Sequence, residues 1–496
     1  MKFIKQHPYL SILILALFLR IIAVIWSQGF MASDDHYQTI TVAWNWHTSG
    51  ECFNEDGELT WGHIAGRDIM RSPLYNLFLL FIFKIGSFLG LSSLYSQMFL
   101  QRIVHALLSF ILIIYTHKYL KEEFDDDTAN LGALIMSVFF IIPFASVRNL
   151  IEMCSAELLI PSLYLSHIAL KRKNYNKLFL AGILAGLAWM IRPHTVLAAL
   201  PVIPIIWFEV RKIKPLLLYC SALLMVVIFS GFLDLFTVGT FLWTSIKYIT
   251  ANLSSAPWGE QPFYQYAMLL VLVLFPPFSF VFLAAIFQKA VIHKHKIMFW
   301  GFACFFVMHS IYRSKFERYM IPILPLLMIL GIAGFYYWYH KRNWYYQRKK
   351  LRIGLWVYAA IINLLFLIPA TLNYSHKGRI EPMVYIDHQP GSKSVIFDCT
   401  ERDLLIPYVY FDSNSDSISY NKLISYSEIN DLQIPKPDYA VIFTEGKLAE
   451  HIDSLESYFG KAEIVKHSKA STIDYILHKL NPRYNHSNQA WVVKFD

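Results

Sequence analysis

The sequence predicts a polytopic α-helical membrane protein that carries a small α/β domain at its C-terminal end. The chain has 496 residues, of which 56% are hydrophobic, whereas about 45–50% is usual in soluble proteins. Segment after segment reaches the ~20 apolar residues that a helix needs to cross the ~30 Å core of a bilayer. After residue 371, short apolar stretches alternate with polar ones. We therefore expect a membrane domain over residues 1–371 and a separate domain over residues 372–496.

Twelve long apolar segments precede the C-terminal domain. They lie near residues 8–28, 73–90, 98–117, 129–146, 150–170, 177–191, 195–209, 215–236, 265–287, 297–311, 319–338 and 353–371. Clusters of Lys and Arg between the segments mark cytoplasmic loops. All of the clusters share one side only if segment 73–90 lies in the interface or re-enters, which leaves about 11 spanning helices. This arrangement predicts a cytoplasmic N-terminus, an external loop at 29–72 and an external C-terminal domain.

The two ends of the chain have different patterns. The first apolar segment, LSILILALFLRIIAVIW, has no small-residue cleavage site, so we expect it to remain as an anchor. The C-terminal domain contains SVIFD (394–398), YVYF (408–411), YAVIF (439–443) and IDYIL (473–477) between polar stretches, which is typical of a small α/β domain. It has no GxGxxG and no P-loop motif, so the sequence gives no support for nucleotide binding. A structural cap and a catalytic module both remain open for this domain.

Charge and cysteine content argue against several classes of protein. The net charge is +9, but most Lys and Arg residues lie in short clusters between apolar segments, as in membrane proteins rather than nucleic-acid-binding proteins. The five cysteines form no CxxC pair and no His-paired spacing, so neither a zinc site nor a disulfide framework is supported. We predict no cofactor, although two neighbouring acids could hold a divalent metal ion.

Ionisable residues of the predicted external face form the main candidate site. A charged side chain at the bilayer centre costs at least ~2.5–3.5 kcal/mol, so such residues usually face water, a cavity or a partner. Besides Asp34 and Asp35, the face carries His36, Gln38, His63, Arg67, Arg71, Arg148, Glu152, Glu157, Arg192, His194, Asp234, Glu260, His309, Arg313, Lys315, Glu317 and Arg318. A secondary transporter is expected to place its charges at midspan on broken helices, whereas these lie at external ends.

Two adjacent acids, Asp34 and Asp35, follow the first apolar segment in the stretch SDDHYQ. Together with Ser33 they could cap a helix formed by DDHYQTITVAWNW. Alternatively, one of them could act as general base on a hydroxyl group, a role that contributes roughly 10²- to 10⁴-fold in rate. Because neighbouring side chains on a helix point about 100° apart, we expect at most one of the two to face the reacting group.

Two further stretches are candidates for ligand binding. HSIYRSKFERYMIPILP (309–325) places basic residues at the boundary of two apolar segments. They could anchor the protein to lipid headgroups, but positive charge on the external face runs against the usual topology, and forked Arg and Lys contacts suit a lipid phosphate. The loop 237–264 is rich in aromatic residues and could either support a sugar ring or belong to a membrane-interface belt.

Together these stretches resemble glycosyltransferase family 22, the polyprenyl-phosphate-mannose-dependent mannosyltransferases of the GT-C superfamily. SDDHYQ resembles the Pro-Asp-Glu-x-Phe-Gln pattern of the family's first external loop, and it keeps Asp34 and Gln38. TWGH (60–63) and RSP (71–73) resemble the family's Thr-Trp-Glu-Trp and Arg-Ser-Pro stretches in the same order. The resemblance covers roughly residues 8–340 and leaves out the C-terminal domain.

The second part of the resemblance lies late in the membrane domain. HS (309–310) and SKFERY (314–319) resemble the family's His-Ser and His-Lys-Glu-x-Arg-Phe patterns, and WGEQPFYQY weakly resembles a Gly-x-His-Pro-Trp loop. Several positions depart from the family, namely Ser33 for Pro, Asp35 for Glu, Ser314 for His, Phe316 for Glu and Gln261 for His. Donor identity or phosphate contacts could therefore have diverged.

The resemblance implies an inverting transfer, on the external face, from a polyprenyl-phosphate sugar to a hydroxyl group of a glycolipid or glycan, with mannose as the sugar. It implies Asp34 as general base, with Asp35 as a second catalytic residue. The residues implied for the donor phosphate are His309, Lys315, Arg318, Arg71 and Arg192. Those for the acceptor or sugar are Gln38, His36, Trp61, Trp258 and Glu317.

Two other functions remain open. A polymerase or ligase of lipid-linked glycans shares lipid-phosphate chemistry and an external site, but a large external loop late in the chain would favour it, and here the main loop comes first. A secondary transporter is the more distant alternative. The expected location is a bacterial inner membrane with an external active site, or the endoplasmic reticulum in a eukaryote. The expected partners are the lipid-linked donor, the acceptor and membrane lipid, with no nucleic acid.

Overall fold

The computed structural model describes residues 6–33, 36–49, 70–254, 260–341, 344–411, 418–482 and 485–496. Over these ranges the chain is mostly helical, and its strands lie in the C-terminal part. This is the polytopic helical architecture, with a small C-terminal α/β domain, that the sequence predicts.

Seven helices within the described ranges are long and apolar enough to cross a membrane. They are Pro8–Trp26, Leu94–Glu123, Ile151–Lys171, Pro193–Val210, Ile213–Val238, Glu317–His340 and Lys349–Thr371. A pair bent by 116°, Gln265–Val273 and Phe278–Ile286, would add an eighth span, and shorter apolar helices are Pro73–Phe88, Lys177–Ile191 and Lys296–Ile311. The chain is thus an integral, multi-pass membrane protein, and the number of about 11 spans stays a prediction.

Shorter helical segments subdivide or connect these spans. In the membrane domain they are His36–Ile40, Thr41–Ser49, Leu94–Leu108, Phe110–Glu123, Asp126–Val138, Ile141–Ala145, Pro193–Thr195, Val196–Ala199, Val202–Val210, Trp243–Ser254, Lys289–Lys294, Glu317–Ile323, Leu324–His340 and Trp344–Gln347. In the C-terminal domain they are Lys377–Asp387, Tyr408–Phe411, Glu428–Asp431, Leu448–Phe459 and Thr472–Leu480.

Helix Pro73–Phe88 corresponds to the segment predicted to lie in the interface or to re-enter. It has 16 residues, and at ~1.5 Å per residue it is shorter than the ~30 Å bilayer core. Its start is well defined, because Pro73 occupies the first turn and the Ser72 hydroxyl accepts a hydrogen bond from the amide of Leu74 at 3.4 Å. This start places Arg71 immediately before the helix.

Two glycines let helix Lys177–Ile191 pack closely on helix Ile213–Val238. A Cβ atom at Gly182 would lie 2.4 Å from the carbonyl oxygen of Tyr219, and one at Gly186 would lie 2.7 Å from the Cβ atom of Val226. Small residues of this kind bring helix backbones together in membranes. The packing fixes the C-terminal end of helix Lys177–Ile191, which is followed by Arg192 of the candidate site.

The described part of the C-terminal domain contains a five-stranded mixed sheet. Its strands are β1 (Lys393–Asp398), β2 (Ile418–Leu423), β3 (Tyr439–Ile442), β4 (Ala462–Ser468) and β5 (Ala490–Phe495), in the order β2-β1-β3-β5-β4. Strand β1 pairs in parallel with β2 and β3, whereas β5 pairs antiparallel with β3 and β4. The apolar stretches SVIFD and YAVIF supply β1 and β3.

The other two short apolar stretches of this domain are helical. YVYF forms the 3₁₀-helix Tyr408–Phe411, and IDYIL lies in the α-helix Thr472–Leu480. The apolar residues Ile473, Ile476, Leu477 and Leu480 recur with the spacing of one helix face. The Ser471 hydroxyl caps this helix by accepting a hydrogen bond from the amide of Asp474 at 3.1 Å.

One hydrophobic core joins the C-terminal domain to the membrane domain. It contains Phe30 and Trp44 from the chain after the first apolar helix, Tyr75 from helix Pro73–Phe88, and Phe397 and Tyr410 from the C-terminal domain. Burial of aromatic side chains contributes strongly to such contacts. The chain that follows the first apolar helix is therefore packed against the C-terminal domain.

Candidate active site

A buried carboxylate and two arginines form the centre of the candidate site. Nη2 of Arg192 lies 2.8 Å from Oε1 of Glu152, and these side chains are 1% and 0% exposed. Nε of Arg318 lies 3.7 Å from the same carboxylate oxygen. Removing one partner of a buried ion pair is costly because the other charge is left uncompensated. Glu152 thus holds two guanidinium groups in place, and the three side chains together carry a net positive charge.

Aromatic and imidazole rings surround this ion pair. The rings of His194 and His309 meet nearly at right angles, with centroids 4.8 Å apart. Nδ1 of His194 lies 3.3 Å from the hydroxyl oxygen of Tyr248. The guanidinium of Arg192 lies 5.0 Å from the ring centroid of Tyr319, a cation–π contact that is favourable when the cation is desolvated. The ion pair of Arg192 and Glu152 is correspondingly almost fully buried.

Arg71 joins the cluster from the residue pair that precedes helix Pro73–Phe88. Its side chain is buried. The positive charges of Arg71, Arg192 and Arg318 all lie close enough to His194 to interact electrostatically with its ring. Three arginines that are far apart in the sequence therefore converge on one histidine.

Lys315 extends the positive region toward the surface. Its Nζ donates hydrogen bonds to the carbonyl oxygens of Gln261, at 3.2 Å, and Tyr312. It also lies 5.9 Å from the ring centroid of Tyr266, and its charge acts on His309. The ammonium group is thus held next to the cluster of histidines and arginines.

The residues after Asp35 form a π-helix, His36–Ile40, that is tied to two elements of the cluster. The carbonyl oxygen of Gln38 accepts a hydrogen bond from Nδ2 of Asn76 at 3.1 Å, on the helix that follows Arg71. The hydroxyl of Thr39 accepts one from Nδ2 of Asn149 at 3.2 Å, just before the helix that carries Glu152. The side-chain oxygen of Gln38 is buried and has no hydrogen-bond partner among the described residues.

An apolar cavity of about 400 Å³ lies beside Arg318. Among its lining residues are Phe140, Leu270, Leu324, Phe366, Ile476 and Leu477, and Glu317 and Arg318 are the charged residues of its wall. Ile476 and Leu477 come from helix Thr472–Leu480 of the C-terminal domain, so membrane helices and the C-terminal domain share this cavity. Cavities of this size and character suit an apolar ligand.

The five residues predicted to contact the donor phosphate lie in one cluster. They are Arg71, Arg192, His309, Lys315 and Arg318. Glu317 is exposed at the wall of the cavity. Of the other predicted site residues, Asp34, Asp35, Trp61 and Trp258 lie outside the described residues, and the role of every site residue stays a prediction. Within the described ranges, no group of three His, Cys, Asp or Glu side chains is arranged to hold a metal ion.

Sequence reasoning placed Glu152 and His194 only among the polar groups of the external face, yet both are central to the cluster. No local spacing links Glu152 to Arg192, because the two residues lie on different helices. The available signal was an acid in the first turn of an apolar helix, where a buried charge requires a partner. His194 follows Arg192 closely and shares its position by chain connectivity.

The sequence model of the Alg9-like mannosyltransferase family matches residues 11–389 of this chain. The chain belongs to this family. The mannosyltransferase APTG1 of Arabidopsis thaliana is 23% identical over 336 residues, which cover 65% of this chain. The matching region spans only 58% of the Arabidopsis protein's length.

Solved structures with the same fold include two glycosyltransferases of the GT-C type. ArnT from Cupriavidus metallidurans, bound to undecaprenyl phosphate, superposes with a TM-score of 0.62 at 12% identity, over 98% of this chain and 97% of that one. The Archaeoglobus fulgidus oligosaccharyltransferase gives a TM-score of 0.50 at 12% identity, over 84% of this chain and 64% of that one. These likenesses establish the GT-C-like fold and nothing about the ligands of this chain.

Proposed function

We propose that this chain is an inverting mannosyltransferase that moves mannose from a polyprenyl-phosphate donor to a hydroxyl group of a glycolipid or glycan. The observation that supports this best is that the cation cluster formed by Arg71, Arg192, Lys315 and Arg318 lies beside the apolar cavity. Arg318 belongs to both, because it contacts Glu152 and also lines the cavity. A ligand with an anionic head and a long apolar chain matches both parts. Its phosphate would accept charge-assisted hydrogen bonds from the arginines, and its isoprenoid chain would occupy the cavity.

Family membership and fold favour the same donor. The family is one of mannosyltransferases, and the similarly folded Cupriavidus metallidurans ArnT binds undecaprenyl phosphate. A nucleotide sugar would leave the apolar cavity beside Arg318 unused. The lipid-linked donor is therefore the better match to the charge and shape of the site.

In the proposed reaction the acceptor hydroxyl oxygen attacks C1 of the mannosyl group. The new C1–O bond forms as the bond between C1 and the phosphate oxygen breaks, and the electron pair of that bond leaves with the lipid phosphate. Asp34 takes the hydroxyl proton as general base. Attack opposite to the leaving group inverts the configuration at C1.

The cation cluster supplies electrostatic stabilisation in this reaction. Arg318 and Lys315 would offset the additional negative charge on the departing phosphate. Glu152 would keep Arg192 and Arg318 fixed before the reaction begins, so that no reorganisation is needed during it. Donors that are preorganised in this way typically contribute ~10²- to 10³-fold each.

We place the reaction on the external or lumenal side of the membrane, with the N-terminus in the cytoplasm. The basic loops support this orientation, because Lys and Arg favour the cytoplasmic side. The C-terminal domain would then lie outside, next to the acceptor.

Purified protein in proteoliposomes tests the donor. Radiolabelled polyprenyl-phosphate-mannose, GDP-mannose and a pyrophosphate-linked oligosaccharide would be offered separately with a total lipid extract as acceptor. We expect labelled glycolipid from the first donor alone. Transfer from GDP-mannose would refute the lipid-linked donor, and transfer of the whole oligosaccharide would favour a glycan polymerase or ligase.

A further inference from the structure

Four stacked rings connect the C-terminal domain to the chain around Asp34 and Asp35. We term Tyr410, His36, Phe30 and His376 the aromatic stack. The ring centroids of Tyr410 and His36 are 5.8 Å apart at 8°, those of His36 and Phe30 are 4.5 Å apart at 16°, and those of Phe30 and His376 are 4.5 Å apart at 18°. The outer rings belong to the C-terminal domain. The inner rings lie on the two sides of the acid pair in the sequence.

The aromatic stack is a packing contact between neutral rings. Burial lowers the pKa of His36 to about 3. Burial, together with the charge of Arg379, lowers the pKa of His376 to about 3. Both imidazoles are therefore uncharged at neutral pH, and stacked rings of this kind gain from area burial and ring geometry rather than from charge.

The backbone before the acid pair is attached to the C-terminal domain as well. The amide of Ser375 donates to the carbonyl oxygen of Gln28 at 2.9 Å, and Gly29 and Ser375 form a β-bridge. Nη2 of Arg148 donates to the Gln28 carbonyl at 3.2 Å and to the Ser375 hydroxyl at 3.1 Å. A Cβ atom at Gly29 would lie 1.8 Å from the Ser375 carbonyl oxygen. The backbone at Gly29 therefore approaches the backbone at Ser375 more closely than any residue with a side chain would allow.

The chain after the acid pair is fixed to the same framework. The amide of His36 donates to the carbonyl oxygen of Ala32 at 3.1 Å. The π-helix that begins at His36 is then bonded to the membrane domain through Gln38 and Thr39. The chain on both sides of positions 34 and 35 is thus held between the C-terminal domain and the membrane helices.

We propose that the C-terminal domain is a positioning element of the active site, in which Tyr410 and His376 hold the chain that carries Asp34 and Asp35. The inference rests on the proposed function, in which Asp34 removes the acceptor proton. A general base acts within about 3 Å of the hydroxyl, and a misplacement of about 1 Å can cost roughly 10²-fold. The cations proposed to bind the donor phosphate lie outside the helices and segments that form the aromatic stack. Loss of a ring from the stack therefore lowers kcat and leaves the binding of the donor unchanged.

Full-length Tyr410→Leu, Tyr410→Phe and Tyr420→Leu test this inference. Tyr420 is a matched control, because its ring stacks on Tyr408 in the same domain with centroids 4.1 Å apart and is not part of the aromatic stack. Three quantities are measured in proteoliposomes: the kcat of mannosyl transfer, the number and Kd of polyprenyl-phosphate binding sites per chain, and amide hydrogen exchange over residues 27–40.

We expect Tyr410→Leu to lower kcat at least tenfold, to leave the binding sites unchanged in number and Kd, and to speed exchange over residues 27–40. Tyr410→Phe keeps the ring and should stay within twofold of the wild type, as should Tyr420→Leu. A Tyr410→Leu variant with kcat within twofold and unchanged exchange would overturn the inference. So would loss of binding sites in proportion to kcat, which would indicate misfolding.

Failure of the proposed function gives a different result. A wild type that transfers no mannose from the lipid-linked donor would refute the donor assignment. Hydrogen exchange would still decide whether Tyr410 holds residues 27–40: faster exchange in Tyr410→Leu alone supports positioning, and equal exchange in all variants overturns it.

Discussion

Replacing Arg318 by alanine should impair transfer far more than replacing Arg313, although both arginines belong to one short segment. Arg318 is 8% exposed, its Nε lies 3.7 Å from Oε1 of Glu152, and it borders the apolar cavity. Arg313 pairs with Glu260 at 2.9 Å, and these side chains are 76% and 64% exposed. The two arginines carry the same charge but differ in burial, so they form a matched pair.

The burial of Arg318 sets the expected magnitude. A hydrogen bond to a charged group contributes ~1.5–3 kcal/mol, and two charges 4 Å apart at an effective dielectric of 20 interact by ~4 kcal/mol. At about 1.4 kcal/mol per factor of ten, Arg318→Ala should lower kcat/KM for the donor by about 10- to 10³-fold. Exposed ion pairs contribute ~0–1 kcal/mol, and the Arg313 pair does not border the cavity, so Arg313→Ala should stay within about twofold.

The assay is transfer of radiolabelled mannose from polyprenyl-phosphate-mannose in proteoliposomes at matched protein content. Arg318→Lys should recover part of the lost activity, because lysine keeps the charge but not the forked geometry. Equal losses for Arg318→Ala and Arg313→Ala would show that the burial of Arg318 beside Glu152 and the cavity does not set its contribution. An Arg318→Ala variant within twofold of the wild type would show the same.

Three further predictions address the ion pair, the cavity and the C-terminal domain. Glu152→Gln should lower the free energy of unfolding by ~3–5 kcal/mol, because it removes the buried carboxylate that pairs with the guanidinium groups of Arg192 and Arg318. An unchanged thermal midpoint would contradict this. The cavity is tested by the ratio of transfer from a long-chain donor to transfer from a donor with two isoprene units. Ile476→Asp should lower this ratio at least tenfold. Tyr475 lies on the same helix but not among the residues that line the cavity, so Tyr475→Ser should leave the ratio unchanged. Nδ1 of His451 and Oδ2 of Asp398 form a hydrogen bond of 2.8 Å, which raises the pKa of His451. Burial alone would raise the pKa of Asp398, but the hydrogen bonds that its carboxylate accepts from His451, Thr400 and Tyr426 outweigh burial and lower that pKa. The ionised Asp398 side chain therefore stabilises the fold above about pH 4, and this contribution is lost as the pH falls through its lowered pKa. The protonated His451 side chain stabilises the fold below about pH 6.5, and this contribution is lost as the pH rises through its raised pKa. His451→Gln should consequently speed hydrogen exchange of strand β1 most between about pH 5 and 6.5 and least near pH 9; an equal effect at both would contradict the pairing.

The sequence predicted the multi-pass helical character of the membrane domain because a span in lipid must satisfy its backbone hydrogen bonds within itself, which demands long apolar helices. The number of about 11 spans stays a prediction. The sequence was less decisive in the C-terminal domain. SVIFD and YAVIF became strands, whereas YVYF and IDYIL became helical. Short apolar runs suit either structure, and tertiary contacts decide between them. For IDYIL the deciding features lie just outside the run, in the Ser471 cap and in Leu480.

The part of the candidate site that could be predicted from the sequence consists of residues that lie in short motifs. His309, Lys315 and Arg318 belong to one stretch, and the resemblance added Arg71 and Arg192 to them. The pairing of Arg192 with Glu152 and the contact of His36 with Tyr410 join residues that are far apart in the chain. Such contacts follow from packing, and the local spacing of residues does not encode them.

The most direct test of Asp34 as the general base compares the wild type with Asp34→Asn at matched expression. Transfer of radiolabelled mannose from polyprenyl-phosphate-mannose to glycolipid is measured together with binding of polyprenyl phosphate. We predict that the variant binds the lipid phosphate like the wild type and loses about 10²- to 10⁴-fold in transfer, as expected for removal of a general base. Equal transfer by both proteins would contradict the proposed mechanism.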